Sequence, residues 1–263
     1  MKLAIHFVDA FTSEAFKGNA AAVILLEQWL PDAVMQSIAI ENNQSETAFL
    51  VPDDEGRFVV RWFSPIKEID FCGHATLASA FVLFKADQTK SHIIFWAKAV
   101  GAITVTRQAG GLMEMNFPNQ EPLVVDTVPQ NLLDGLSIAP TQVLRNRQAY
   151  FAIYATEQQV RSIVPHLPAL KELAPYDVVI TAPGEQHDFV SRYFWPANGG
   201  DEDPVTGSIH SGLAPFWAQR LNKAELIAMQ VSRRTGVLHC RIEGQRVYIS
   251  GTCVQYLEGV INL

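Results

Sequence analysis

Phe71-Cys72-Gly73-His74-Ala75-Thr76 opens an apolar, alanine-rich run from Leu77 to Phe84, and Arg61-Trp62-Phe63-Ser64-Pro65 stands just upstream. The chain then repeats that plan. Arg192-Tyr193-Phe194-Trp195-Pro196 leads into Asp201-Glu202-Asp203-Pro204-Val205-Thr206-Gly207-Ser208, and a second apolar run, Ile209 to Trp217, follows. Both copies read as R-x-F-x-P on a strand, a short loop, a small polar turn with glycine, and a buried helix. Two such units point to a duplicated half-molecule and not to a solenoid. A polar turn that opens a helix is also an anion site, because its first backbone N–H groups lack partners and the dipole is positive there. Two such ends facing each other would make a cleft for a small carboxylate.

Outward from the first turn, alternation predicts strands over 2–10 and 20–26, with Gly18-Asn19 marking the turn between them. Pro31-Asp32 opens a helix through Asn42, and short strands cover 46–51 and 58–63. The helix from Gly73 runs to Lys85, and strands at 92–98, 101–107 and 111–117 follow. Prolines and acidic residues make 118–129 the linker. The second half reads as strand 149–155, helix 157–165, strands 176–182 and 188–195, and the helix to Leu221. Four further strands lie near 227–233, 236–242, 245–251 and 253–260. Each half has many short strands but only one strongly apolar helix, too sparse an alternation for a doubly wound sheet. The expected class is α+β: two similar halves, each a curved mixed sheet or barrel wrapped around a central helix, related by pseudo-two-fold symmetry. The halves divide as 1–118 and 119–263, with the last strand able to pack back on the first half.

At 263 residues, 48% hydrophobic and 18% charged, the chain has the composition of a globular protein with a sizeable core. Its net charge of −7 is offset by no basic patch, since Arg233-Arg234 is the one adjacent basic pair, so neither nucleic acid nor membrane is expected as a partner. Cys72, Cys240 and Cys253 are too few and scattered for a disulfide framework. Met1 to His6 moves straight into a strand pattern without a signal-peptide core, and no apolar run reaches spanning length. A cytoplasmic protein is expected.

Glu46 sits where the polar run ending at Ser45 meets an apolar strand. Desolvation there would raise its pKa and suit it to exchanging a proton near neutral pH; on the solvent side of the strand it would do nothing of the kind. His74, just after Gly73, would hydrogen-bond a substrate or shuttle a proton, or else serve as a cap or satisfied core histidine. Asp203-Pro204 fits an N-cap followed by the first helical position, which makes capping the default account of Asp203. Thr206-Gly207-Ser208 adds hydroxyls and open backbone. Cys72 at a helix start is either an activated thiol or an inert buried one. Arg61 and Arg192 are carboxylate binders or structural ion pairs. The histidines show no metal-ligand spacing with the cysteines, and the glycines match no Walker or dinucleotide loop, so no metal and no cofactor is expected.

Together, Val8-Asp9-Ala10-Phe11-Thr12, Gly18-Asn19, Ser45-Glu46-Thr47-Ala48-Phe49, Phe71-Cys72-Gly73-His74-Ala75-Thr76 and Glu202-Asp203-Pro204-Val205-Thr206-Gly207-Ser208 resemble the phenazine biosynthesis PhzF-like family, in the family's order and over nearly the whole chain. The resemblance implies the diaminopimelate-epimerase-like fold, with the active site between two similar halves. It also implies an isomerase that moves a proton without metal or organic cofactor. By it, Glu46 is the general acid/base, while His74, Asp203 and Ser208 orient the substrate or relay the proton. Thr206 belongs to the same motif, and backbone N–H groups of Gly73 and Gly207 hold a carboxylate. Two departures stand out. The family's G-N-P is Gly18-Asn19-Ala20 here, and the counterpart of Cys72 in the second half is Pro204, so a two-thiol racemase lacks its second base.

The expected function is therefore an isomerase shifting a proton within a small carboxylate-bearing metabolite. An epimerase using Cys72 with Glu46 or His74 is the rival enzyme, and a non-catalytic metabolite-binding protein is the rival of another class. Homodimerisation would cover the excess of strand edges.

Overall fold

The computed structural model describes residues 1–263, as two compact units: Met1–Asn116 with Ser250–Leu263, and Phe117–Ile249. The first run of elements is β1 (Lys2–Ala10), β2 (Asn19–Leu25), α1 (Asp32–Asn42), β3 (Glu46–Pro52), β4 (Phe58–Phe63), β5 (Glu68–Ile69), α2 (Gly73–Ala86), β6 (His92–Ala97), β7 (Gly101–Arg107) and β8 (Met113–Pro118). The second is β9 (Leu123–Val124), α3 (Gln130–Asp134), β10 (Gln142–Arg145), β11 (Ala149–Ile153), α4 (Glu157–Ser162), α5 (Leu167–Lys171), β12 (Asp177–Pro183), β13 (Phe189–Phe194), β14 (Glu202–Asp203), α6 (His210–Leu221), β15 (Glu225–Gln230), β16 (Gly236–Glu243) and β17 (Arg246–Gly251). The last strand, β18 (Cys253–Asn262), belongs to the first unit and runs antiparallel to β1 from Ala10↔Cys253 to Lys2↔Asn262. Strands dominate and helices are few, so the class is α+β.

In the first unit β1 pairs antiparallel with β2, and β2 runs parallel to β3 through the α1 crossover. α1 buries Met35, Ile38 and Ala39 against Leu3, Ile24, Leu26, Phe49 and Phe63. β3 pairs antiparallel with β4, and β4 runs parallel to β6 through α2. An apolar helix without a polar face can persist only inside a core. α2 accordingly is buried at every residue from Gly73 to Phe84 except Phe81, and it lies against β1, β2, β3, β6 and β18. Its hydroxyls are satisfied locally: Thr76 Oγ1 donates to the Cys72 carbonyl at 2.6 Å and Ser79 Oγ to the Ala75 carbonyl at 2.7 Å. No helix is long and apolar enough to cross a membrane.

The second unit runs through the same order of pairings. β11 is parallel to β12, β12 antiparallel to β13, and β13 is paired with both β14 and, in parallel, β15. The register explains the R-x-F motif. Residues two apart on a strand share a face, and Phe63 pairs with Glu68 as Phe194 pairs with Glu202. Arg61 stacks 5.1 Å over the Phe63 ring while its Nε and Nη2 donate to Glu68 at 2.7 and 2.6 Å. Arg192 does the same over Phe194, with bonds of 2.8 and 3.0 Å to Glu202. Both arginines are therefore structural ion pairs.

Two expectations need correction, and one segment went unread. The 157–165 helix stops at Ser162, and the chain restarts as α5 after Pro165, which cannot continue a helix. Residues 130–145, for which the pattern gave no expectation, form α3 and β10. Asp203 is not an N-cap. α6 begins at His210 behind Ile209, whereas Asp203 is held in the β13–β14 ladder opposite Tyr193. Its carboxylate accepts from Thr206 Oγ1 at 2.5 Å instead of from helix amides.

His210 itself is fully buried, stacked on Phe189, which stacks in turn on Trp217. Its Nδ1–H donates to the Thr206 carbonyl at 2.8 Å, Nε2 has no partner, and burial pushes its pKa down to about 4 from 6.5. The unfolded chain therefore binds more protons between those values. The contribution of His210 is full above pH 6.5 and is lost as pH falls toward 4, on the order of 3 kcal/mol at about 1.4 kcal/mol per pH unit. The urea midpoint is expected to drop across that window. His210→Gln, which keeps a donor for Thr206, is expected to flatten the drop; an unchanged slope would clear His210 of responsibility.

Candidate active site

Glu46 begins β3 opposite Ala21 of parallel β2 and is 6% exposed, so the solvent-side reading is excluded. The end of α1 delivers it there: Asn43 adopts a left-handed conformation that stops the helix, and Asn42 Nδ2 donates to Thr47 Oγ1 at 3.2 Å. His74, the second residue of α2, is equally buried, and its Nε2 stands 2.9 Å from Glu46 Oε2. The N–H is not aligned on that oxygen, which has no hydrogen-bond partner despite its burial. An unfilled buried acceptor is costly unless a ligand fills it.

Asn19, the first residue of β2, fixes the imidazole from behind. Ser45 Oγ donates to Asn19 Oδ1 at 3.1 Å, and Asn19 Nδ2 lies 3.1 Å from His74 Nδ1. The Cys72 sulfur is 3.4 Å from the same Nδ1. With donors facing it, Nδ1 is an acceptor, so this network assigns the ring proton to Nε2, the nitrogen 2.9 Å from Glu46 Oε2. An Asn19→Asp variant would set a carboxylate against Nδ1 and pull the proton there. ¹⁵N spectra of labelled histidine are expected to show a bare Nδ1 in the parent protein and a protonated one in the variant. The same shifts in both would refute the assignment. Cys72 closes the group: one atom each from Glu46, Cys72 and His74 lies within 4.8 Å of the others. Spacing rules missed this trio because Glu46 arrives on a different element.

Gly73 lies beside this group at the start of α2 with an ordinary backbone. A Cβ there would meet only the Phe71 and Met115 side chains at 3.8 Å or beyond, so sterics do not demand glycine.

Asp203, Thr206, Gly207 and Ser208 all lie in the second unit. Fully buried Gln230 braces their turn: its Oε1 accepts from the Thr206 N–H at 2.9 Å and its Nε2 donates to the Asp203 carbonyl at 2.7 Å. Behind Ser208 runs a directional chain. Tyr193 O–H donates to buried Asp177 at 2.5 Å, Gln148 Nε2 donates to the Tyr193 oxygen at 3.0 Å, and the same nitrogen donates to Ser208 Oγ at 2.9 Å. Ser208 Oγ accepts from Gln148, which leaves its own O–H available as a donor. Burial raises the pKa of Asp177, and burial together with Asp177 raises that of Tyr193. Asn19 in the first unit, and Gln148, Tyr193, Asp177 and Gln230 in the second, are neighbours of candidate residues that sequence reasoning did not select. Only Asn19 carried a signal, as part of the Gly18-Asn19 motif. A surface pocket of about 840 Å³ bounded by Arg145, Arg147, Tyr150 and Tyr176 contains none of the candidate residues.

The family described as phenazine biosynthesis-like protein matches residues 8–259 of the chain. An uncharacterised isomerase of Pseudomonas aeruginosa is 45% identical over 263 residues, covering all of both chains. Another, from Halalkalibacterium halodurans, is 41% identical over 267 residues, again with full coverage of both. The crystal structure of a phenazine biosynthesis protein of the PhzF family from Enterococcus faecalis superposes with a TM-score of 0.95 at 42% identity, covering 100% of each chain.

Proposed function

Since the chain belongs to the phenazine biosynthesis-like family, we propose that it is an isomerase that moves a proton within a small carboxylate-bearing metabolite, with Glu46 as general acid/base. The observation that carries this is the buried Glu46 carboxylate, with one oxygen lacking a hydrogen bond, held against His74 Nε2. A single carboxylate can take a proton from one carbon and return it to another. The Nε2–H of His74 steadies the Glu46 anion before the first transfer and after the second. By family resemblance Asp203 and Ser208, with His74, orient the substrate or relay the proton, and Thr206 with the backbone N–H groups of Gly73 and Gly207 binds it. The Ser208 O–H and the backbone N–H groups are donors that suit its carboxylate.

The same reading takes the two units as copies of one duplicated half, each a sheet around its apolar helix. It takes the protein as a cytoplasmic homodimer, in which a second copy covers the exposed Tyr256, Leu257 and Val260 of β18. The functional test is proton exchange: incubation in D₂O with a panel of cyclic and unsaturated acids, followed by mass spectrometry. Deuterium uptake at a carbon supports the isomerase. Tight binding of an acid without uptake would replace it with a binding protein.

Cys72 supports a second reading. Its sulfur lies 3.4 Å from His74 Nδ1, which supports an epimerase that uses the thiol with Glu46 or His74. Deuterium at a stereocentre, lost in Cys72→Ser, would select it.

A further inference from the structure

We propose that Glu46, Cys72 and His74 form a binding site for a soft divalent cation, Zn²⁺ or Cd²⁺, whose occupation shuts off the acid/base group. The inhibitory consequence rests on the isomerase reading, whereas the binding does not.

The donor set is the first argument. One thiolate, one imidazole and one carboxylate make a site that favours zinc-like ions and disfavours magnesium or calcium, which take all-oxygen cages. All three residues are buried, each about 6% exposed, so the donors would be taken from a largely dry environment.

Geometry is the second. His74 Nε2 stands 3.8 Å from the Cys72 sulfur and 2.9 Å from Glu46 Oε2. With zinc bonds of about 2.0–2.3 Å and tetrahedral angles, adjacent donors sit roughly 3.3–3.6 Å apart. Both His74 distances are within a few tenths of an ångström of those values, the Cys72 and Glu46 donors lie within 4.8 Å of each other, and Glu46 Oε2 has no hydrogen bond to give up.

The surrounding network is the third. A ligating Nε2 requires the proton on Nδ1, and a ligating histidine keeps its other N–H on an acceptor. Asn19, whose side-chain amide already lies 3.1 Å from Nδ1, is the residue that would turn its Oδ1 to accept that proton. On binding, the Cys72 thiol proton is released to solvent and the His74 proton moves from Nε2 to Nδ1, with no oxidation or reduction. The other thiols do not compete: burial pushes Cys240 up to about 12 and raises Cys253 further.

The test is titration of the purified protein with Cd²⁺ alone, reading the thiolate-to-cadmium charge-transfer absorbance. A band saturating at one equivalent is expected, retained in Cys240→Ser and lost in Cys72→Ser. Glu46→Gln is expected to keep the band but bind at least about tenfold more weakly. Should Cys72→Ser misfold, His74→Gln serves in its place, with the same weakening expected. No saturating band, or one indifferent to both Cys72 and His74, would overturn the site. One equivalent of Zn²⁺ is further expected to stop proton exchange until a chelator is added. A cadmium band in a protein that exchanges no proton would sink the isomerase reading and leave the metal site standing.

Discussion

Glu46→Gln is expected to lower the rate of proton exchange by about 10²–10⁴-fold, the usual share of a general acid/base, with little change in KM and no loss of fold. The amide has the same shape as the carboxylate, and its oxygen still faces His74 Nε2–H. Asn19 and Ser45 hold the imidazole from the far side and do not depend on Glu46. What disappears is the ability to take up a proton and give it back. A fall in kcat with KM unchanged marks an interaction made in the transition state, and thermal unfolding of the variant should match the parent. If turnover survives, the base is elsewhere, and Cys72 or His74 inherits the role.

The largest structural effect is expected from Gly18→Ala. Gly18 has φ +67°, and a Cβ there would stand 2.2 Å from the Ala10 carbonyl oxygen and 2.7 Å from Thr12 Cγ2. That oxygen cannot withdraw, because Ala10 is paired with Asn19 on one side and Cys253 on the other. Left-handed backbone alone costs an alanine about 1–2 kcal/mol. The clash should take the total to the order of 3–5 kcal/mol, a large part of a typical stability. Gly56→Ala is the control: its φ is +77° but nothing lies within 4 Å, so only the backbone cost remains. Urea denaturation of the two variants separates the terms. Because Asn19 is next in the chain, Gly18→Ala should also disturb His74 and slow exchange, whereas Gly56→Ala should not. Equal loss in both variants would show that crowding at Ala10 is relieved.

Much of the first unit could be read before any coordinates, for identifiable reasons. The run from Gly73 to Phe84 has no polar face, so it had to be a core helix. Glu46, between a polar run and an apolar strand, announced a carboxylate out of place. The second unit misled where local and distant forces conflict. Asp203-Pro204 is locally a good helix start, but pairing with Tyr193 and the bonds from Gln230 hold it elsewhere. Gln148 and Gln230 were illegible because a glutamine acts through partners far along the chain, with no spacing or period to betray it. The duplicated arginine motif was visible, but the choice between binding anions and bracing a strand turned on Glu68 and Glu202, set by register alone.

The return of β18 to β1 bears on how the protein is made. A ribosome releases β1 well before residues 253–262, yet these two strands pair from Ala10↔Cys253 to Lys2↔Asn262. Residues 117–249 can collapse while synthesis is still under way, but the unit carrying Glu46 must wait for its final strand. Closing so long a loop is entropically expensive and kinetically slow. The nascent polypeptide thus leaves the surroundings of Glu46 unfinished until translation has passed the segment that closes the first unit.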